Sequence, residues 1–171
     1  MGGTFKNRRG KPPIARLEHS HRRLEQELEN LGARVESISR GQALEESWSA
    51  ISEVVDYLHR SVVRHEEDEE QSVFPRLASH PTLRPLLQRL RDDHASQQKL
   101  VARLAQLVEQ QELATTPARL ERTSQRLVAA YLDHIAREDR QLLPAISRHC
   151  SAAEQAQMGE EMGARRESDG R

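Results

Sequence analysis

Ile14, Leu17, His21, Leu24, Leu28, Leu31, Val35 and Ile38 are separated by steps that alternate three and four without a miss. That period puts all of them on one stripe of an α-helix, a stripe that must face a core. The same period recurs along the chain. A second stripe reads Leu44, Trp48, Ile51, Val55, Leu58, Val62, then His65 and Glu69. A third reads Leu87, Leu90, His94, Val101, Leu104 and Val108, with Gln97 and Gln98 sharing the inward slot after His94. A fourth reads Leu120, Leu127, Tyr131, His134, Glu138 and Leu142. Helix breakers separate them. Pro12 and Pro13 open the first, and Gly41 ends it. Phe74-Pro75 and Ser79-His80-Pro81 end the second. Thr115-Thr116-Pro117 restarts the chain, with Thr116 as N-cap, and Pro144 bends or ends the fourth helix. Ser151 through Glu154 spell a capping box for a short final helix. The expected fold is all-α, an antiparallel up-down-up-down four-helix bundle over residues 12–150. Residues 1–11 are expected to be a disordered basic tail, and 151–171 a short helix that frays from residue 165.

Each stripe carries a histidine where leucine belongs. His21 and His65 are equidistant from residue 43, beside Gly41. His65 and His94 are equidistant from the Ser79–His80 bond, and His94 and His134 from residue 114. In antiparallel hairpins, residues equally far from a turn lie at one level, so all four histidines should share a layer. Helices two and four add Glu69 and Glu138, each one turn after its histidine and on the same face. The two stretches repeat. HEEDEEQSVFP and HIAREDRQLLP are both His-x3-Glu-x3, two apolar residues, then proline. A two-fold bundle with such a layer is a common framework for a binuclear metal site.

Two unpaired glutamates in a helical core would cost several kcal/mol each. Around two divalent cations that cost is met, with carboxylates bridging and histidines capping each ion. Imidazole plus carboxylate suits iron, with zinc or manganese as alternatives. So few protein donors leave positions open for water, dioxygen, peroxide or nitric oxide. Other polar residues read differently. Glu66, Glu67, Asp68 and Glu70 look like a solvated face, although Glu66 is close enough to reach a metal. Asp139 rivals Glu138 but rotates off the stripe, and His19 points away from the core. His59, His80 and His149 look like surface residues; Trp48 and Tyr131 look like core, Tyr131 with the option of supporting the site.

Composition excludes several classes. A net charge of −1 gives no overall attraction to nucleic acid or an anionic membrane. The lone Cys150 rules out an intrachain disulfide and suits a reducing compartment. The start MGGTFKNRRGKPP has no apolar signal core, and no run approaches the ~20 apolar residues of a membrane helix. A cytoplasmic protein without nucleic-acid or membrane partners is expected.

The ordered set resembles the hemerythrin-like (HHE cation-binding) family over roughly residues 12–165. It rests on His21 in SHRRLEQELENL, His65 and Glu69 with VFP, His94 in RDDH, and His134 and Glu138 with LLP. The resemblance implies an oxo- or hydroxo-bridged di-iron centre. His21, His65, His94 and His134 would be terminal ligands, and Glu69 and Glu138 bridging carboxylates. Oxygen-carrying members have a second histidine where this chain has Gln98, and a last-helix carboxylate one residue later than Glu138. Paired His-x3-Glu motifs are more similar to the family's iron-repair proteins of nitrosative stress and its iron- and oxygen-sensing domains. The expected function is binding or sensing of O2, NO or peroxide, or iron handling, and which redox or signalling protein it would partner is not given by the sequence. A di-iron redox enzyme of oxidative or nitrosative stress (peroxide decomposition or iron-centre repair) and a metal-free helical interaction module are the alternatives.

Overall fold

The computed structural model describes residues 12–110 and 117–168. Within them the chain forms helices and no strand. Helix α1 is Pro13–Ser39, α2 covers 44–77, α3 is Arg84–Glu109, α4 covers 117–149, and α5 is Ala152–Ser168. Each of the first four packs on its sequence neighbours, and α1 also packs on α4, which closes the bundle. Helix α5 lies across α1 and α2.

The ends follow from local chemistry. Gly41 has φ 68°, a left-handed conformation that glycine adopts without a Cβ penalty. Gly41 N–H donates to Ile38 O and Gln42 N–H to Ser37 O, both at 2.9 Å, a Schellman closure of α1. The capping box before α5 forms as expected. Ser151 N–H donates to Glu154 Oε2 at 2.8 Å, and Glu154 N–H to Ser151 Oγ at 3.3 Å. Thr116, the expected N-cap of α4, lies outside the described residues, as do the basic tail and residues 169–171.

Three expectations about the helices need correction. First, Pro75 does not end its helix, which stops only before Ser79-His80-Pro81, and of the two outcomes open for Pro144, bending or ending, ending does not occur. Each follows a π-helical turn, Glu69–Val73 in α2 and Glu138–Leu142 in α4, and the helix runs on to Leu77 and His149. A proline ring clashes with the carbonyl four residues back in an α-helix; the widened π turn relieves that clash. A further π turn, Leu58–Val62, lies earlier in α2. Second, Leu44 is 49 % exposed and Trp48 only partly buried, while Ser47 and Val54 face inward instead. In α3, Leu107 is buried in place of Val108, and Gln97 takes the inward slot without Gln98. Third, the chain is not frayed from residue 165, because α5 continues through Ser168.

The core is split into two apolar clusters. One holds Leu24, Leu28, Leu31, Val62, Val101, Tyr131 and their neighbours. The other holds Leu17, Val73, Phe74, Leu90, Leu142, Met158 and their neighbours. On every bundle helix the histidine falls between residues of the two clusters: Leu17 and Leu24 flank His21, and Leu90 and Val101 flank His94. The polar layer is therefore sealed above and below by hydrocarbon.

Candidate metal centre

All six residues singled out in the sequence meet in that layer, and all are buried: His21, His65, Glu69, His94, His134 and Glu138. They form two groups of four. His21 and His65 stand on one side and His94 and His134 on the other, while Glu69 and Glu138 belong to both. Within each group the ligand atoms lie within 4.8 Å of one another. The ring centroids are 5.0 Å apart for His21 and His65, and 4.8 Å for His94 and His134.

The carboxylates divide their oxygens between the two sides. Glu69 Oε1 is 3.4 Å from His65 Nε2, and Oε2 is 3.3 Å from His94 Nε2. Glu138 Oε2 is 3.1 Å from His21 Nε2, and Oε1 is 3.1 Å from His134 Nε2. Close as they are, His21 Nε2, His94 Nε2 and all four carboxylate oxygens are buried without a hydrogen bond. Buried polar atoms normally find partners. Unpartnered nitrogen and oxygen lone pairs converging on two points fit a pair of cations.

Outer carboxylates fix the rings. His21 Nδ1 donates to Asp139 Oδ1 at 2.7 Å, and His94 Nδ1 donates to Glu70 Oε1 at 2.7 Å. An ionised carboxylate only accepts, so in the neutral, metal-ligating imidazole the proton sits on Nδ1 and the Nε2 lone pair faces the centre. His134 Nδ1 is 3.5 Å from Asp93 Oδ2, which Arg137 also binds. His65 Nδ1 has no such partner. The arrangement is two-fold. In Glu69-Glu70 and in Glu138-Asp139, the first carboxylate faces the centre and the second holds the histidine of another helix.

Charge in the metal-free layer is finely divided. Burial opposes protonation of His21, but Glu138, then Glu69 and Asp139, outweigh it and raise its pKa to about 8. Burial lowers that of His65. Burial, and then the charge of Glu138, push Glu69 well above the carboxylate range. Burial acts the same way on Glu138, yet the His134, His21 and His65 contacts hold it well below that range.

Some polar residues are not where the sequence suggested. Asp139 is not a member of either group; it orients His21 instead. Of the expected solvated face, Glu67 is exposed and Glu70 partly so, but Glu66 and Asp68 are buried. Glu66 Oε2 accepts from Gln98 Nε2 at 2.7 Å, while Oε1 has no partner. Asp68 is covered by α5: its Oδ1 accepts from Arg165 Nη1 at 2.7 Å, and its Oδ2 lies 2.7 Å from Arg166 Nη1. His19 and His59 are exposed, and the rings of His80 and His149 pair at 4.2 Å near the surface. Tyr131 is core.

A family profile described as the hemerythrin HHE cation binding domain matches residues 12–146. No curated protein matches the chain. No described helix is long and apolar enough to cross a membrane.

Proposed function

Because the chain belongs to the hemerythrin HHE cation-binding family, we propose that its buried layer holds two iron ions and binds or senses dioxygen, nitric oxide or peroxide. The observation that carries this reading is the division of both carboxylates between the two histidine pairs. A carboxylate serving one ion needs only one oxygen turned to that side. Here each offers one oxygen to each side, as a bridge does.

Each side would receive two imidazole nitrogens and two carboxylate oxygens, a mixed donor set suited to iron. Such an iron pair supplies reversible electron transfer and coordination positions that the protein leaves unfilled. The side chains do the rest. Asp139 and Glu70 keep the His21 and His94 rings in the ligating tautomer. The two apolar clusters keep bulk water from the layer. Glu66, buried two turns from the Glu69 π segment's end and hydrogen-bonded by Gln98, adds a polar group beside the centre.

The test uses iron-loaded protein reduced without oxygen, then exposed separately to dioxygen, nitric oxide and peroxide. A saturable change in the visible spectrum with at least one of them is expected, lost in Glu69→Ala. A spectrum that responds to none of the three would overturn the reading.

A further inference from the structure

The internal repeat runs further than its prolines. HEEDEEQSVFPRLASH, residues 65–80, and HIAREDRQLLPAISRH, residues 134–149, share His, Glu and Pro at matching positions. Both also close on a second histidine, His80 and His149, each fifteen positions after the first. The structure keeps the two segments in step. Each has a π turn before its proline, and each buries an apolar residue three positions before the outer histidine, Leu77 and Ile146. A two-fold that joins the inner histidines across the bundle should therefore join the outer ones as well.

It does. The ring centroids of His80 and His149 lie 4.2 Å apart, with the planes tilted by 44°. That is closer than the ligand pairs of the buried layer, at 5.0 and 4.8 Å. In both segments, residues of the second apolar cluster stand between the layer and the outer histidine: Phe74 and Leu77 in one, Leu143 and Ile146 in the other. Both outer rings are only partly buried, and no described residue hydrogen-bonds to either. Burial, and then the charges of His80 and Arg148, lower the pKa of His149, which favours the neutral imidazole that ligates metals. Glu154 is the neighbouring carboxylate. Its Oε2 accepts from Ser151, and His80 is among the charges that act on it.

We propose that His80 and His149 form a second, outer metal site that takes one divalent late transition-metal ion, copper or zinc. Two neutral imidazoles select that class over magnesium and calcium, which take oxygen ligands. Metal–nitrogen bonds of ~2.0–2.1 Å spread two rings on one ion about as far as the layer pairs are spread, so a small opening of the 4.2 Å contact seats the ion. Among the described residues no third ligand joins the pair in a ready group, so water completes the coordination. An ion held by two protein donors near the surface exchanges more readily than one sealed in the core. The site draws on no residue of the buried layer and does not depend on what that layer binds.

The experiment adds Cu2+ to the full chain after its buried centre has been loaded and its metal counted. One further Cu2+ per chain is expected. Its electron paramagnetic resonance spectrum should show nitrogen hyperfine structure from two imidazoles, and Zn2+ but not Mg2+ should displace it. Affinity should fall at least ~10-fold in His80→Gln and in His149→Gln, the loss of one of two donors. Either variant suffices should the other not fold. His59→Gln, at an exposed histidine elsewhere, should bind as the parent does. The metal counted at the buried centre should not change. No copper beyond that count, copper that only replaces the centre's metal, full binding in both outer variants, or an equal loss in His59→Gln would overturn the proposal. A centre that loads no metal would sink the di-iron reading alone, because the outer site is judged by the loss in its own two variants.

Discussion

His21 and His94 owe their orientation to residues one position past the buried glutamates. Asp139→Asn and Glu70→Gln replace an acceptor-only group with one that also donates, so the ring is no longer held in one tautomer. Each should weaken metal binding about 10–100-fold, read by competition with a coloured chelator, with helix content unchanged. Glu67→Gln, on the exposed face, is the control. The buried glutamates carry the opposite trade. Glu69→Leu should abolish binuclear loading yet stabilise the metal-free protein by about 1–3 kcal/mol, because an unpartnered polar group leaves the core. Chemical denaturation in chelator checks this; a less stable variant would mean that Glu69 is satisfied without metal. The six layer residues were legible in the sequence because each interrupts an apolar stripe. The roles of Asp139 and Glu70 were not: Asp139, one residue off the stripe, read as a rival ligand to Glu138, and Glu70 read as solvated. The signal lay in the repeat, where an acidic residue follows the inward glutamate both times. Glu66 and Asp68 escaped because stripe spacing describes one face only, and a second helix covers theirs.

Among the elements, α5 is the one whose role was hidden. Arg165 and Arg166 looked like part of a frayed end, but both grip Asp68, which has no exposed surface. Asp68→Asn should destabilise the protein by about 2 kcal/mol in a denaturant titration. That is below the usual penalty for breaking a buried pair, since the guanidiniums are 19 % and 30 % exposed. A change near zero would show that α5 is held by Met158 and Met162 packing and by the Arg76–Glu161 pair, without help from Asp68. Helix existence, order and approximate ends were readable from period and breakers. The π turns were not, because proline in a stripe reads as a stop, and only the tertiary fit of Glu69 and Glu138 shows that the helix passes through.

At the scale of the whole molecule, the metal layer makes stability depend on what fills it. In the metal-free protein His21 titrates near pH 8 rather than its ordinary 6.5. A raised folded pKa contributes stability that is complete below the unfolded value and is lost as pH rises through the folded one. The melting temperature of chelator-treated protein should therefore fall between about pH 6.5 and 8. That of metal-loaded protein should hold or rise, since cations bind better as the histidines lose protons. Parallel curves for the two forms would contradict a metal bound at His21. The bundle and its histidine level could be read from the sequence, because equal distances from the turns fix depth. The division of the carboxylates between two sides was implied only by the family resemblance, because spacing sets the face a residue occupies and leaves its rotamer free. The account stands most directly on metal content. Protein purified under low oxygen and measured by elemental analysis should contain about two irons per chain, one for each group of four ligands. A single zinc, or no metal after iron loading, would contradict it.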